Sequence, residues 1–233
     1  MHTHLQNKGS MKTRLLGISM IVTLMLLLQG VQAQVSVTAT IGTMGPTPYT
    51  TVKGAFDAIN AGTHQGVIAI SIIGDPVEAA SAVLNASGAG SAAYTSISMQ
   101  PSGGFTRTIS GAIVGLPLID FNGADNVTVD GLNSGGNALV ISNTSTSSTS
   151  GTSTIRFQAD ATSNTVTRCS VLGSATIAVS SGTNGGNIWF GAAAVGTLSH
   201  QGTKQFVQGH NKGGLLLVLA VGRVDDVRVL LLF

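Results

Sequence analysis

Val35, Val37, Ala39 and Ile41 alternate with Ser36, Thr38 and Thr40, the two-residue period of a strand with one buried face. A link rich in Gly and Pro follows, through Gly45-Pro46-Thr47-Pro48. The period then changes. In Thr51 to Asn60 the apolar residues Val52, Ala55, Phe56 and Ile59 fall at i, i+3, i+4 and i+7, which predicts one amphipathic helix. Thr50 or Thr51 can cap its start, and Asn60-Ala61-Gly62 supplies a stop. Ten residues are too few to hold a helix alone, so its apolar face must lie on other structure. Val67 to Ile73 reads as a buried strand.

Beyond this point, short β segments are separated by Gly, Ser, Asn and Asp. The pattern predicts strands at Tyr94 to Met99, Thr106 to Ile109, Leu118 to Phe121, Val127 to Val129, Ala138 to Ile141, Thr154 to Phe157, Thr165 to Val171 and Thr176 to Val179. Ile119, Leu139, Ile155 and Val171 recur at spacings of 20, 16 and 16. Gly123-Ala-Asp-Asn-Val-Thr-Val129 parallels Ala161-Thr-Ser-Asn-Thr-Val-Thr167, each a small-residue turn with Asn before a strand. A loose period near 16 to 20 suits stacked solenoid coils, with Asn126 and Asn164 at equivalent bends able to hydrogen-bond between coils.

A β-sandwich competes, because Asn122-Gly123 and Asp130-Gly131 are hairpin-turn dipeptides. The strands are nevertheless very short, and no Cys or central Trp marks a sandwich core. The expected fold is all-β: a right-handed parallel β-helix whose open first coil is covered by the short N-terminal helix.

Composition narrows the class further. Charged residues are 9% and Gly is 31 of 233, while Ser and Thr, at 24 and 26, supply most of the polarity. A net charge of +2 spread over 11 basic residues offers no stripe for nucleic acid. With 43% hydrophobic residues the chain is no disordered polyelectrolyte.

Met11-Lys-Thr-Arg14, the apolar run Leu15 to Leu28 and Gln29 to Gln34 follow the order of a signal peptide, with cleavage expected after Ala33. At fourteen residues the run falls short of the ~20 needed to span a bilayer, which disfavours an uncleaved anchor. The expected organisation is a leader at 1–33, an N-terminal strand and capping helix at 34–66, β-helix coils at 67–197 and an atypical segment at 198–233. In that last segment, Leu215 to Val221 and Val229 to Phe233 are apolar but interrupted by Arg223, Asp225, Asp226 and Arg228, which excludes a membrane span. It reads as a truncated or misread continuation, with two final strands as the alternative.

Ser142 to Thr154 holds eleven Ser/Thr in thirteen residues and reads as a loop leaving the coil stack; a mucin-like stalk is the competing reading. Cys169 is the single cysteine, so no intrachain disulfide forms, and its apolar, Thr-rich surroundings predict a buried structural thiol.

Tyr49 to Asn60 with the strand after it resembles the N-terminal cap of pectin-lyase-like right-handed parallel β-helix proteins. Together with the leader and the segments Gly123 to Leu132, Thr154 to Phe157 and Asn164 to Cys169, it is similar to the start of large secreted bacterial surface proteins. The resemblance implies a surface location and a structural or adhesive role. In carbohydrate-active members of this fold, it also implies carboxylates for calcium or acid/base work, with Arg or Lys to stabilise developing charge.

The candidates here are Asp120, Asp130 and Arg156, with Asp125, Asp160, Arg107 and Arg168 as further charged groups. Asp125 and Asp130 sit beside Asn or Gly, where carboxylates commonly serve turns. The chain therefore reads as a non-catalytic, secreted or cell-surface adhesive module with glycan or cell-surface partners, no nucleic-acid partner and no cofactor. A polysaccharide lyase or glycoside hydrolase is the alternative, and calcium belongs only to that alternative. Gly88-Ala-Gly-Ser-Ala-Ala93 matches a dinucleotide loop loosely, but a strand follows where a helix must begin. Asn85-Ala-Ser87, Asn126-Val-Thr128 and Asn143-Thr-Ser145 are acceptor triplets for N-linked glycans in a eukaryotic secretory pathway.

Overall fold

Strands three apart in the chain lie side by side in the computed structural model, which describes residues 32–176, 185–191, 217–221 and 229–231. The chain enters through β1 (Val35–Gly42), β2 (Thr47–Tyr49) and the helix α1 (Val52–Asn60). The first coil is β3 (His64–Ile72), β4 (Val77–Glu78) and β5 (Ala82–Asn85). The second is β6 (Tyr94–Pro101), β7 (Thr106–Gly111) and β8 (Pro117–Asn122). The third is β9 (Val127–Asp130), β10 (Ala138–Asn143) and β11 (Ser153–Gln158), and the fourth β12 (Asn164–Thr167), β13 (Cys169–Gly173) and β14 (Gly186–Phe190). Each strand pairs in parallel with its counterpart one coil away, so three sheets run along a parallel β-helix of about four turns.

Parallel stacking sets like on like inside the tube. Ile70, Met99, Val129 and Val166 form one file in the first sheet, and Ile109, Ile141 and Val171 another in the second. In the third sheet Ala82, Ile119, Ile155 and Ile188 stack beside Leu84, Phe121, Phe157 and Phe190. The rings of Phe121 and Phe157 lie 5.0 Å apart and those of Phe157 and Phe190 5.3 Å, close to the inter-strand spacing of ~4.8 Å. Full burial of one such ring contributes about 2–3 kcal/mol, so these files carry much of the stability.

The open end of the first coil is closed twice. β1 pairs antiparallel with β3 and β2 with β1, which occupies the exposed edge of the first sheet. α1 buries Val52, Ala55, Phe56 and Ile59, as its spacing predicts, and Phe56 reaches Phe121 at 6.4 Å. Both ends of the helix are tied to the coil beneath. At its start Thr51 accepts from the Gly54 N–H, while Glu78 on β4 accepts from the N–H groups of Val52 at 2.7 Å and Lys53 at 3.1 Å. At its end Asn60 donates to the Val83 carbonyl and accepts from the Asn85 N–H, satisfying edge groups of β5. Gly62, at φ 75°, then lets the chain turn back into β3.

Several sequence expectations need correction. The repeat is longer than 16 to 20: Ile68 stacks on Ile97, 29 positions on, and Ala82 on Ile119, 37 positions on. Ile119 and Ile155 share the third sheet, whereas Leu139 and Val171 belong to the second, so the shorter spacing is a step between sheets. Thr165 to Val171 is two strands, broken where Arg168 takes φ 55° and the chain turns from the first sheet to the second. Thr128 pairs with Thr165, which places Asn164 opposite Val127 rather than Asn126. Asn164 bonds main chain, donating to the Ala124 carbonyl and accepting from the Val127 N–H.

The Ser/Thr-rich stretch does not leave the stack: Ser145, Thr152, Ser153 and Thr154 are buried, and the last two belong to β11. Hydroxyl and main-chain bonds tie it to neighbouring coils, among them Thr152 Oγ1 accepting from the Gly115 N–H and Thr154 Oγ1 donating to the Leu172 carbonyl. Hydrogen bonding, which apolar patterning does not register, anchors it.

Of the strand expected at Thr176 to Val179, Thr176 is outside any strand and the rest lies outside the described residues. In the C-terminal segment β15 (Leu217–Val221) pairs antiparallel with β12, and β16 (Val229–Leu231) with β15, which is the two-strand alternative. Among the described residues no helix is long and apolar enough to cross a membrane.

Candidate functional site

Strand parity sends Asp120 and Arg156 outward from the third sheet, because their neighbours Ile119, Phe121, Ile155 and Phe157 point in. The two face each other across adjacent coils in register. Arg156 donates from Nε to Asp120 Oδ1 at 2.9 Å and from Nη2 to Oδ2 at 2.6 Å, a two-pronged pair. Gln158 adds a third donor to Oδ2 at 3.1 Å, and only 2% of Asp120 remains exposed. One coil further, Trp189 lies in the same file, with the Arg156 guanidinium 5.3 Å from its ring centre.

A polar ladder runs alongside. Asn122 donates to Asn85 at 3.0 Å and accepts from Gln158 at 3.2 Å, linking three coils through side-chain amides. Such amide stacking was expected at Asn126 and Asn164, but it occurs on the third sheet.

Asp130 ends β9 in the first sheet, and its partner Arg168 sits at the turn directly above. Arg168 donates from Nε to Oδ1 at 2.8 Å and from Nη2 to Oδ2, and the Leu132 N–H also reaches Oδ1 at 2.9 Å. The Arg168 hydrogen bonds hold the Asp130 carboxyl below the usual carboxylate range against a smaller opposing effect of burial. Gly131, read from sequence as half of a hairpin signal, instead allows the Arg168 carbonyl to pass against it where a Cβ would collide.

Cys169 follows Arg168 and is half-buried rather than fully buried. Burial, and then the Asp130 charge, push its thiol up to about 12, so it stays protonated and a poor nucleophile at neutral pH.

The remaining charges serve corners. Asp125 accepts from the N–H and hydroxyl of Thr162 one coil away. Arg107 donates to the Ser102 carbonyl and lies 5.3 Å over the exposed Phe105 ring. Asp160 occupies a left-handed turn position at φ 65°.

Asp120 and Asp130 therefore stand on different sheets, each held in its own ion pair, while Asp120 and Arg156 are brought together. General acid/base work needs a carboxyl within reach of substrate. Here both carboxylates already accept from several fixed donors. Among the described residues no group of three or more His, Cys, Asp or Glu could hold a metal ion.

Two polar residues, Glu78 and His64, escaped the sequence reading, and a third, Asn143, was marked only as part of an acceptor triplet. Glu78 caps α1, and Asn143 uses both its amide groups inside the fold. His64, fully buried, contacts the Thr43 carbonyl through Nδ1 at 2.6 Å and the Tyr49 hydroxyl through Nε2 at 2.6 Å. A carbonyl can only accept, so Nδ1 carries a proton toward Thr43, and in a neutral ring Nε2 accepts from Tyr49. No sequence signal marks these pairings, since the partners of Glu78 and His64 lie 15 to 26 residues away and Ile113 lies 30 from Asn143.

The outer face of the first sheet has a different chemistry. Thr38, Ala69, Ser98, Thr128 and Thr165 form one transverse file across β1, β3, β6, β9 and β12, all partly or fully exposed. Short side chains at strand spacing leave this face low and polar. Comparison with protein-family models, with curated proteins and with solved structures finds no match to this chain.

Proposed function

We propose that the protein is a secreted or cell-surface β-helix module with a structural and adhesive role, non-catalytic, whose coil surface contacts glycans. The observation that carries this reading is the file Thr38, Ala69, Ser98, Thr128 and Thr165 on the outer face of the first sheet, which bears a hydroxyl at every position except Ala69. Each position offers at most one weak contact, repeated at the ~4.8 Å strand spacing. A polymeric ligand can engage several at once, and linked weak contacts add up to useful avidity. The basic start and apolar run of residues 11–33 support export, and the similarity to pectin-lyase-like surface proteins supports the same location.

The engagement of Asp120 by Arg156 and of Asp130 by Arg168 supports structural duty for the residues a lyase or hydrolase would need free. The test is to immobilise the chain at high density on beads and measure retention of neutral and acidic polysaccharides, while assaying the same mixtures for new reducing or unsaturated ends. Retention that falls when Thr128 and Thr165 are both changed to Val, which removes the hydroxyls without adding charge, with no new ends, is the expected result. Chain cleavage abolished by Asp120→Ala or Asp130→Ala would replace this reading with the enzymatic one.

A further inference from the structure

The three acceptor triplets of the sequence have unlike fates in the fold. Asn143 is 2% exposed and bonded four ways: Nδ2 donates to the carbonyls of Ile113 and Ser153, and Oδ1 accepts from the N–H groups of Ile113 and Ser145. A substituent on that nitrogen would replace one of its two bonded N–H groups and open the stack between coils. Asn85 is half-buried, its Oδ1 accepts from Asn122 and its carbonyl accepts from the Tyr94 hydroxyl, so it forms one end of the amide ladder. A glycan there would have to leave from a half-buried position between the amide ladder and the edge that α1 covers.

Asn126 differs in each respect. It is exposed, at a corner between β8 and β9, in the left-handed conformation at φ 58° that Asn tolerates better than most residues. Its position is fixed by main chain alone: its N–H donates to the Thr162 carbonyl at 3.3 Å and its carbonyl accepts from the Ile97 N–H at 3.1 Å. Neither bond uses the side-chain amide. Thr128, the third residue of the triplet, lies on the outer face of the first sheet, partly exposed.

We propose that Asn126 is an acceptor site for an N-linked glycan, and that it is the one triplet of the three that the folded chain can carry modified. The donor is a lipid-linked pyrophosphoryl oligosaccharide. The Asn126 Nδ2 forms a bond to the anomeric carbon, the anomeric C–O bond to pyrophosphate breaks, the amide gives up one proton, and lipid pyrophosphate leaves with the bonding pair. The product keeps one N–H and the side-chain carbonyl, and both main-chain bonds of Asn126 survive. This inference stands independently of the adhesive reading and of the resemblance to bacterial surface proteins, and it applies to the chain in a eukaryotic secretory pathway.

The folded full-length chain, incubated with a purified oligosaccharyltransferase and its lipid-linked donor, tests it, beside short peptides spanning each triplet. Mass mapping is expected to find glycan on Asn126 of the folded chain and on neither Asn85 nor Asn143, while all three peptides are modified. Asn126→Gln and Thr128→Ala should each abolish the added mass with an unchanged β-type circular-dichroism spectrum. An unmodified Asn126 in the folded chain, an Asn126 peptide the enzyme rejects, or glycan on Asn85 or Asn143 of folded protein would each overturn the proposal.

Discussion

Arg156 on the third coil grips Asp120 on the second through two hydrogen bonds, and the pair is shielded from water except for about one seventh of the arginine side chain, which is 14% exposed. Removing one partner strands a buried charge, whereas removing both does not. Arg156→Leu is therefore expected to cost about 3–5 kcal/mol in urea unfolding, and Asp120→Leu combined with Arg156→Leu to recover most of that loss. A single-variant cost under about 1 kcal/mol would mean that solvent screens the pair as it does at an open surface.

Glu78 joins the first coil to the helix that covers it. Glu78→Ala leaves the N–H groups of Val52 and Lys53 without their acceptor, at a cost of about 1–3 kcal/mol, and should speed hydrogen exchange in the first turn of α1 before the coil strands respond. Burial raises the Glu78 pKa above its ordinary value despite those two bonds. The native chain thus binds this proton more tightly than the unfolded chain. The resulting stabilisation is full below the ordinary carboxylate range and is lost as pH rises through the native value. Wild type should lose stability relative to Glu78→Gln across that window, and a gap that stays flat with pH would contradict it.

Asn143 satisfies two N–H groups and two carbonyls where the Ser/Thr-rich segment folds back into the stack. Asn143→Ala should cost about 3 kcal/mol or more, since each orphaned buried group costs about 1–3 kcal/mol. Asn143→Asp should be no better, because it keeps the acceptor, loses the donors and buries a charge. Thermal unfolding measures both, and a loss under about 1 kcal/mol for the alanine variant would show that water takes the amide's place.

Asp130 and Cys169 give opposite readouts of one corner. Because the Asp130 pKa is lowered, its contribution is present above the ordinary carboxylate range and lost as pH falls through the native value, a slope that Asp130→Asn should remove. The effect is modest, under about 1 kcal/mol, since Arg168 is 44% exposed. Cys169 should react with iodoacetamide at pH 8 far more slowly in the folded chain than in urea, its thiol having been pushed up to about 12. Equal rates in both conditions would show that the thiol is neither shielded nor raised.

The strands and the capping helix are legible because their signals are local. Val35 to Ile41 and Thr51 to Asn60 each need only their own periodicity, and most of the coil strands were placed to within a few residues. β4 and β5 escaped notice because strands of two and four residues carry almost no period, yet they complete the first coil and bear Glu78 and the Asn85 end of the ladder. The candidate residues were legible as types only. Nothing in the spacing of Asp120 and Arg156 shows that they meet, or that Asp130 meets Arg168 instead of Asp120.

Sequence alone determined the all-β class, the amphipathic helix near its start and a polar, hydroxyl-rich texture, because alternation and helical spacing act within ten residues. Tertiary structure alone decided the length of the repeat, which asparagine bonds which coil, and which charges neutralise one another. The physical reason is register. Loops of unequal length set how far each strand slides before it pairs, and one residue of slip separates Asn164 opposite Val127 from Asn164 opposite Asn126.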